Sequence, residues 1–412
     1  MRFLRGVLGA AAIAGAAAAL GATAEQAAAA PPAIGAPAAI LVEPQTQDVV
    51  FARHANQRRA IASTTKLMTA LLTLENAKLG DVYTAAPYSP SPGESLMGLR
   101  TGERISVADL LRGLLIVSAN DAANTLAVDV AGSRRRFVAM MNQRARQLGL
   151  RDTHYANPVG LDQPGNYSSA ADLVKLTLVL RQRPFFRQTT DMGTATLHSG
   201  ARVRHLVNRN DLVREVPAVD GVKTGHTNAA GYVLIGSATR GGVTVISAVL
   251  GDSSIAARDS DSLRLLRYGL ARYRRVTALR RGAVLAHAAL KFRDQHVDLV
   301  AARSVLRVAR RGEHVTTHVV GAPSEVEGPL DAGTRVGTVE VRQRGRVVAR
   351  VPLVTARAVS APTLGQRVSD YLGRGSTRAV LVLLALCSLY LALVRRRSAR
   401  RRNGAQGPGL AS

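Results

Sequence analysis

Ala62-Ser63-Thr64-Thr65-Lys66-Leu67-Met68-Thr69-Ala70 is the stretch on which the reading of this chain turns. Leu67, Met68, Leu71, Leu72 and Leu74 recur at three- and four-residue spacing, which predicts a buried helix with Ser63 in its first turn. Three apart on a helix, Ser63 and Lys66 share a face and can touch. A serine hydroxyl is a weak nucleophile until a neighbour takes its proton, and a lysine amine can do so when neutral. Burial against an apolar helix disfavours the ammonium form and makes such a base available. Taken alone, the tetrapeptide reads more simply as an N-cap serine beside a solvated lysine.

The flanking sequence supplies two further elements. Ser106 to Val117 predicts a helix opened by a Ser106/Asp109 capping box, and it ends in Ser118-Ala119-Asn120 before a second apolar helix over Ala122 to Val130. Ser118 and Asn120 therefore project from a turn between two buried helices, where alone they read as a C-cap and an N-cap. Asp220-Gly221-Val222-Lys223-Thr224-Gly225-His226-Thr227 precedes Tyr232 to Ala238, a turn at Arg240-Gly241-Gly242, and Val243 to Leu250. This predicts a hairpin with Lys-Thr-Gly at its outer start. There the Lys223 ammonium and Thr224 hydroxyl can bind a carboxylate, and Gly225 lets a ligand approach the backbone. Upstream, Ala39-Ile40-Leu41-Val42 and Asp48-Val49-Val50-Phe51-Ala52 read as paired strands around a turn at Pro44.

The order S-x-x-K, S-x-N, K-T-G closely matches the set found in penicillin-binding proteins and class A β-lactamases, with Ser118-Ala119-Asn120 in place of S-D-N. The steps are 55 residues from Ser63 to Ser118 and 103 from Asn120 to Lys223, and the two motif lysines come from a chain holding only five. From about Ala39 to Tyr273 the sequence resembles the D-Ala-D-Ala carboxypeptidases among the low-molecular-mass penicillin-binding proteins. The likeness extends through Leu114 to Ala123, Leu148 to Pro158 and Gly160-Leu161-Asp162. Val159 stands where many relatives carry His.

The resemblance implies an α/β fold of the penicillin-binding protein/β-lactamase type, with a roughly five-stranded antiparallel sheet flanked by helices and a helical subdomain closing the cleft. It implies Ser63 as acyl-enzyme nucleophile, Lys66 as its base, Ser118 as proton relay and Asn120 as the group orienting the substrate amide. Lys223 and Thr224 would hold the terminal carboxylate, the N–H groups of Ser63 and His226 would form an oxyanion hole, and Arg258 would also meet the carboxylate. Locally, Arg258 reads equally well as a solvated first-turn residue of a helix carrying Leu263, Leu266 and Leu270. Val-rich alternations over 276–359 predict a small all-β sandwich, which resembles the C-terminal domain of the same carboxypeptidases.

The 412 residues carry 55 Lys+Arg against 28 Asp+Glu, a formal net charge of +27 that invites a nucleic-acid partner. The chain ends argue otherwise. Residues 1–24 have Arg2 and Arg5, an apolar run and Ala22-Thr23-Ala24, the pattern of a secretory signal, and an Ala/Pro tether follows over 25–38. Ala379 to Val394 is uncharged and predicts a transmembrane helix, reached through a linker over 360–378. Six arginines in the tail over 395–412 place that tail in the cytoplasm and the catalytic domain (39–275) outside. Signal and tail together leave 47 basic residues against 28 acidic ones on the outer side, away from nucleic acid. Cys387, the only cysteine, falls in the apolar segment, so the exported part has no disulfide and no cysteine-based metal site. His314 and His318 sit on a strand pattern that would hold their rings about 13 Å apart, too far for one metal.

The sequence therefore predicts a single-pass cell-membrane protein: a serine D-Ala-D-Ala carboxypeptidase that trims peptidoglycan stem pentapeptides and is acylated by β-lactams. Its expected partners are stem peptides, β-lactam antibiotics and membrane lipid, with no nucleic acid, no cofactor and no metal. A β-lactamase and a transpeptidase share the three motifs, and a non-catalytic peptidoglycan or penicillin sensor shares the binding site. No clear counterpart of the class A deacylating Glu is visible, and an intact Ser63/Lys66 pair speaks against a sensor.

Overall fold

The computed structural model describes residues 30–403; the secretory signal expected over 1–24 lies outside the described residues, as does the end of the basic tail. Strands β1 (Ala38–Glu43) and β2 (Asp48–Arg53) form the expected hairpin, with Pro44 just past the end of β1. They join three later strands, β3 (Val219–Thr227), β4 (Gly231–Arg240) and β5 (Val243–Asp252), in one antiparallel sheet of order β2-β1-β5-β4-β3. β1 is an apolar run rather than an alternation because both its faces are covered. Ala38, Ile40 and Val42 point into the larger core with helices α1 (Lys66–Asn76) and α5 (Ala170–Leu180). Ala39 and Leu41 point the other way, onto Leu265, Leu266 and Leu270 of α6 (Ile255–Arg272).

The helical subdomain is built from α2 (Val107–Ile116), α3 (Asn120–Ala131) and α4 (Arg134–Gln147), packed with α1 in the same core. Ser106 caps α2 by accepting from the Asp109 N–H, yet the capping box is half made. Asp109 turns instead to Arg112 and to the Ser199 hydroxyl. The expected tether is docked over its last residues: Asp261 of α6 accepts from the N–H groups of Gly35 and Ala36 at 2.5 and 2.8 Å, and Ile34 is buried.

Past α6 the chain enters an all-β domain at Tyr273, three residues earlier than the sequence predicts. A six-stranded sheet and a ribbon of Tyr273–Leu279 with Val305–Arg310 share one core. Asp48 of β2 joins the two domains, accepting from Tyr273 Oη at 2.6 Å and from Arg344, which also pairs with Glu313. The expected linker holds a helix, α7 (Leu364–Gly373), started by a Thr363/Gln366 capping box. Next, α8 (Gly375–Asn403) carries the apolar segment on 29 residues rather than sixteen. Its 26-residue stretch Gly375–Arg400, of mean hydropathy 2.2 over its apolar window, is about 39 Å long at ~1.5 Å per residue, and none of that window is buried. It is long and apolar enough to cross a membrane and is no core helix.

Candidate active site

Ser63 lies in a tight 3₁₀ turn, Ala62–Thr65, that runs directly into α1. Ala62 takes a left-handed φ of +46°, a strained state for a residue with a Cβ that turns the chain sharply into the helix. Lys66, the first residue of α1, is fully buried, and its Nζ lies 2.9 Å from Ser63 Oγ. A second contact, from Nζ to the backbone carbonyl of Val159, fixes the amine. Burial pulls the Lys66 pKa down from 10.5 to about 7, with Arg209 adding to the fall and Glu94 and Asp121 resisting it. The serine and lysine that the motif pairs are thus in contact, and burial makes the amine substantially neutral near pH 7.

Two glycines allow the turn to be packed from both sides. Gly160 has φ +88°, and a Cβ there would stand 2.1 Å from the Ala62 carbonyl oxygen. The loop it belongs to is also tied to α1, by Thr69 donating to the Pro158 carbonyl at 2.7 Å. On the other side a Cβ on Gly225 would meet the Ser63 nitrogen at 3.0 Å and the Ala62 Cβ at 3.1 Å. Lys-Thr-Gly therefore sits mid-way along the edge strand β3, pressed against the serine turn, and not at its solvated start. Lys223 is buried, with Nζ donating to the Thr224 carbonyl at 2.8 Å. Burial, then the charges of Lys66, Arg209 and Arg258, hold its pKa well below the ordinary lysine range. A carboxylate among these cations would offset that repulsion. Arg258, in the first turn of α6, is buried and pairs with Asp259 at 2.8 Å, so its solvated reading is excluded. His226 is exposed and stacks on its cross-strand partner Tyr232 at 4.1 Å.

Ser118 and Asn120 are not caps. Ser118 has φ +64°, Ala119 holds the N-cap position without a side-chain bond, and Asn120 is the first residue of α3. Both side chains are buried, yet Ser118 Oγ and Asn120 Oδ1 have no hydrogen-bond partner among the described residues. Buried polar atoms are ordinarily satisfied, so this pair reads as poised for a ligand.

Two further residues escaped the sequence reading, Glu94 and Arg209. Glu94 accepts from Asn120 Nδ2 at 2.7 Å, from the Ser91 N–H at 2.8 Å and from the Tyr88 hydroxyl. Burial works against its ionisation, but those hydrogen bonds win and lower its pKa. The Ser95 carbonyl and the Asp121 carboxylate zip this loop to the Ser118–Asp121 turn. Arg209 donates to the Val117 carbonyl at 3.0 Å and acts electrostatically on both lysines. Neither Glu94 nor Arg209 belongs to a periodic pattern. Glu94 lies in a Pro/Ser/Gly-rich run that carries no local signal.

A hydroxyl beside a buried, largely neutral amine, with cations grouped for a carboxylate, defines a serine acyl-transfer site of the penicillin-binding class. Residues 24–254 match the family model described as D-alanyl-D-alanine carboxypeptidase, and residues 273–361 match that of the penicillin-binding protein 5 C-terminal domain. The D-alanyl-D-alanine carboxypeptidase DacD of Escherichia coli is 35% identical over 81% of this chain and 89% of its own length. DacF of Bacillus subtilis is 31% identical over 76% and 83%. Among solved structures, penicillin-binding protein 5 of Haemophilus influenzae aligns with TM-score 0.58 and 30% identity, covering 80% of this chain and 99% of that one. The Streptomyces K15 DD-transpeptidase aligns at 0.56 and 32% over 59% of this chain and 99% of that one. The chain belongs to the D-alanyl-D-alanine carboxypeptidase family and is a serine hydrolase.

Proposed function

We propose that Ser63, Lys66, Ser118 and Asn120 carry the carboxypeptidase reaction and that Lys223, Thr224 and Arg258 seat the C-terminal carboxylate of a stem peptide ending in D-Ala-D-Ala. Neutral Lys66 takes the Ser63 proton as Oγ bonds to the penultimate D-Ala carbonyl. The resulting oxyanion is held by the N–H groups of Ser63 and His226, on either side of the Gly225 contact. Collapse breaks the peptide bond and protonates the departing D-Ala amine, with Ser118 relaying the proton. Water then cleaves the ester, with Lys66 again accepting a proton. The observation that carries this reading is the 2.9 Å contact between Ser63 Oγ and an amine held near neutrality.

The same reading places the catalytic domain outside the membrane, with α8 as its single anchor, the all-β domain as spacer and the arginine-rich tail in the cytoplasm. D-Ala release from a pentapeptide by the full chain in detergent, with and without an amine acceptor, tests it. Free D-Ala is expected in both conditions. A cross-linked product without free D-Ala would make the chain a transpeptidase, and rapid penicillin turnover would make it a β-lactamase.

A further inference from the structure

A pocket of about 580 Å³ borders the reacting centre, lined by the loop from Ala156 to Gln163, by Arg134, Arg135 and Val138 of α4, and by Tyr88. Its size suits a small-molecule or peptide-side-chain ligand. Two threads tie it to the chemistry. Val159, in its lining, gives its carbonyl to Lys66. Tyr88, also in the lining, donates to Glu94, which in turn accepts from Asn120. A ligand there lies next to the serine's base and two hydrogen bonds from the substrate-amide residue.

The charge of this pocket is not balanced within the protein. Arg134 and Arg135 are exposed and make no salt bridge with a described residue. The acidic lining residue, Asp162, is already engaged by the Thr227 hydroxyl at 2.7 Å and the Ala229 N–H at 3.1 Å. Arg134 and Arg135 also occupy the first turn of α4, which holds no acidic residue, where the helix dipole opposes cations. A local arrangement that works against stability without internal compensation marks a functional position. Val138, Pro158 and Leu161 give the same pocket an apolar side for the aliphatic part of a ligand.

We propose that this pocket receives the part of the peptide on the N-terminal side of the scissile bond, and that Arg134 and Arg135 bind a carboxylate carried there. The inference rests on the carboxypeptidase reading and adds to it a preference for acidic stem peptides. With the C-terminal carboxylate held by Lys223, Thr224 and Arg258, the acyl half must leave Ser63 past other residues; Val159 borders both Lys66 and the pocket, and Tyr88 connects the pocket to Asn120 through Glu94. Guanidinium groups suit such a partner because they can grip a carboxylate through two parallel bonds.

The test compares L-Ala-γ-D-Glu-L-Lys-D-Ala-D-Ala with the same peptide whose glutamate α-carboxylate is an amide, using the full chain in detergent micelles. Each kcat/KM is read from D-Ala release. The acid-to-amide ratio is expected to be tenfold or more, to fall to near one in the Arg134→Ala/Arg135→Ala double variant, and to survive largely in Arg134→Lys/Arg135→Lys. Because the readout is a ratio, a general loss of activity cancels, and fluorescent-penicillin labelling checks that each variant is folded. A ratio near one in the unaltered protein, or the same ratio in the double alanine variant, overturns the pocket's role. Absence of D-Ala release from both peptides by the unaltered protein overturns the carboxypeptidase reading, and the pocket's role with it.

Discussion

Acylation should titrate with Lys66, and the structure sets where. A lysine of ordinary pKa is neutral in roughly one molecule in 3,000 at pH 7, whereas Lys66, pulled from 10.5 to about 7, is neutral in about half. The buried environment thus raises the concentration of competent base by about three orders of magnitude. Glu94 works against that fall by favouring the ammonium. Glu94→Gln removes the charge yet keeps an oxygen that can accept from Asn120, so the variant should move Lys66 further down. The assay is the second-order rate constant for acylation by a fluorescent penicillin, measured from pH 5 to 9. Below pH 7 the rate should climb about tenfold per pH unit and then flatten, and Glu94→Gln should shift the acid limb to lower pH. A flat profile, or an acid limb centred near pH 10, would refute the claim that burial activates Lys66. An unmoved limb in Glu94→Gln would remove Glu94 from the account.

Other outcomes follow from individual contacts. Gly160→Ala should cost more than about 2 kcal/mol in chemical denaturation and slow acylation at least tenfold, since its Cβ meets the Ala62 carbonyl at 2.1 Å and φ is +88°. Arg344→Ala should cost about 1 kcal/mol, modest because Arg344 is 44% exposed, and should split thermal unfolding into two transitions as the domain joint loosens. Acid should do the same. Arg344 holds Asp48 at about 2 against an ordinary 3.8, so this contribution is complete above pH 4 and fades as pH falls through 2. Truncation after Arg374 should move the protein from the membrane pellet to the soluble fraction with penicillin labelling intact; a truncated form still in the pellet would assign anchoring to α7 or the β domain.

How much of this was legible in the sequence varies by element. β1 and α1 were, because Ala38 to Val42 and Leu67 to Leu74 bury apolar residues in patterns that local geometry dictates. Of the expected site residues, Ser63 and Lys66 are in contact and Gly225 packs against their turn, a neighbourhood that the three motifs already suggest. The burial of Lys223 and Arg258 was not legible, because an edge strand and a first helical turn are exposed by default. Only the close approach of the serine turn to β3 and the packing of α6 on the sheet cover them. Glu94 and Arg209 depend on tertiary contacts of non-periodic segments, which no local rule addresses. The helix over Leu364–Gly373 was missed although its Thr363/Gln366 box is a local signal. It lies in a run read as a spacer, and none of its residues is buried.

The most direct test of the account is the site of covalent modification by benzylpenicillin. Intact-protein mass spectrometry of the full chain should show one adduct per molecule, peptide mapping should place it on Ser63, and Ser63→Ala should carry none. An adduct retained by Ser63→Ala, or mapped to any other residue, would contradict the acyl-enzyme on which the whole mechanism stands.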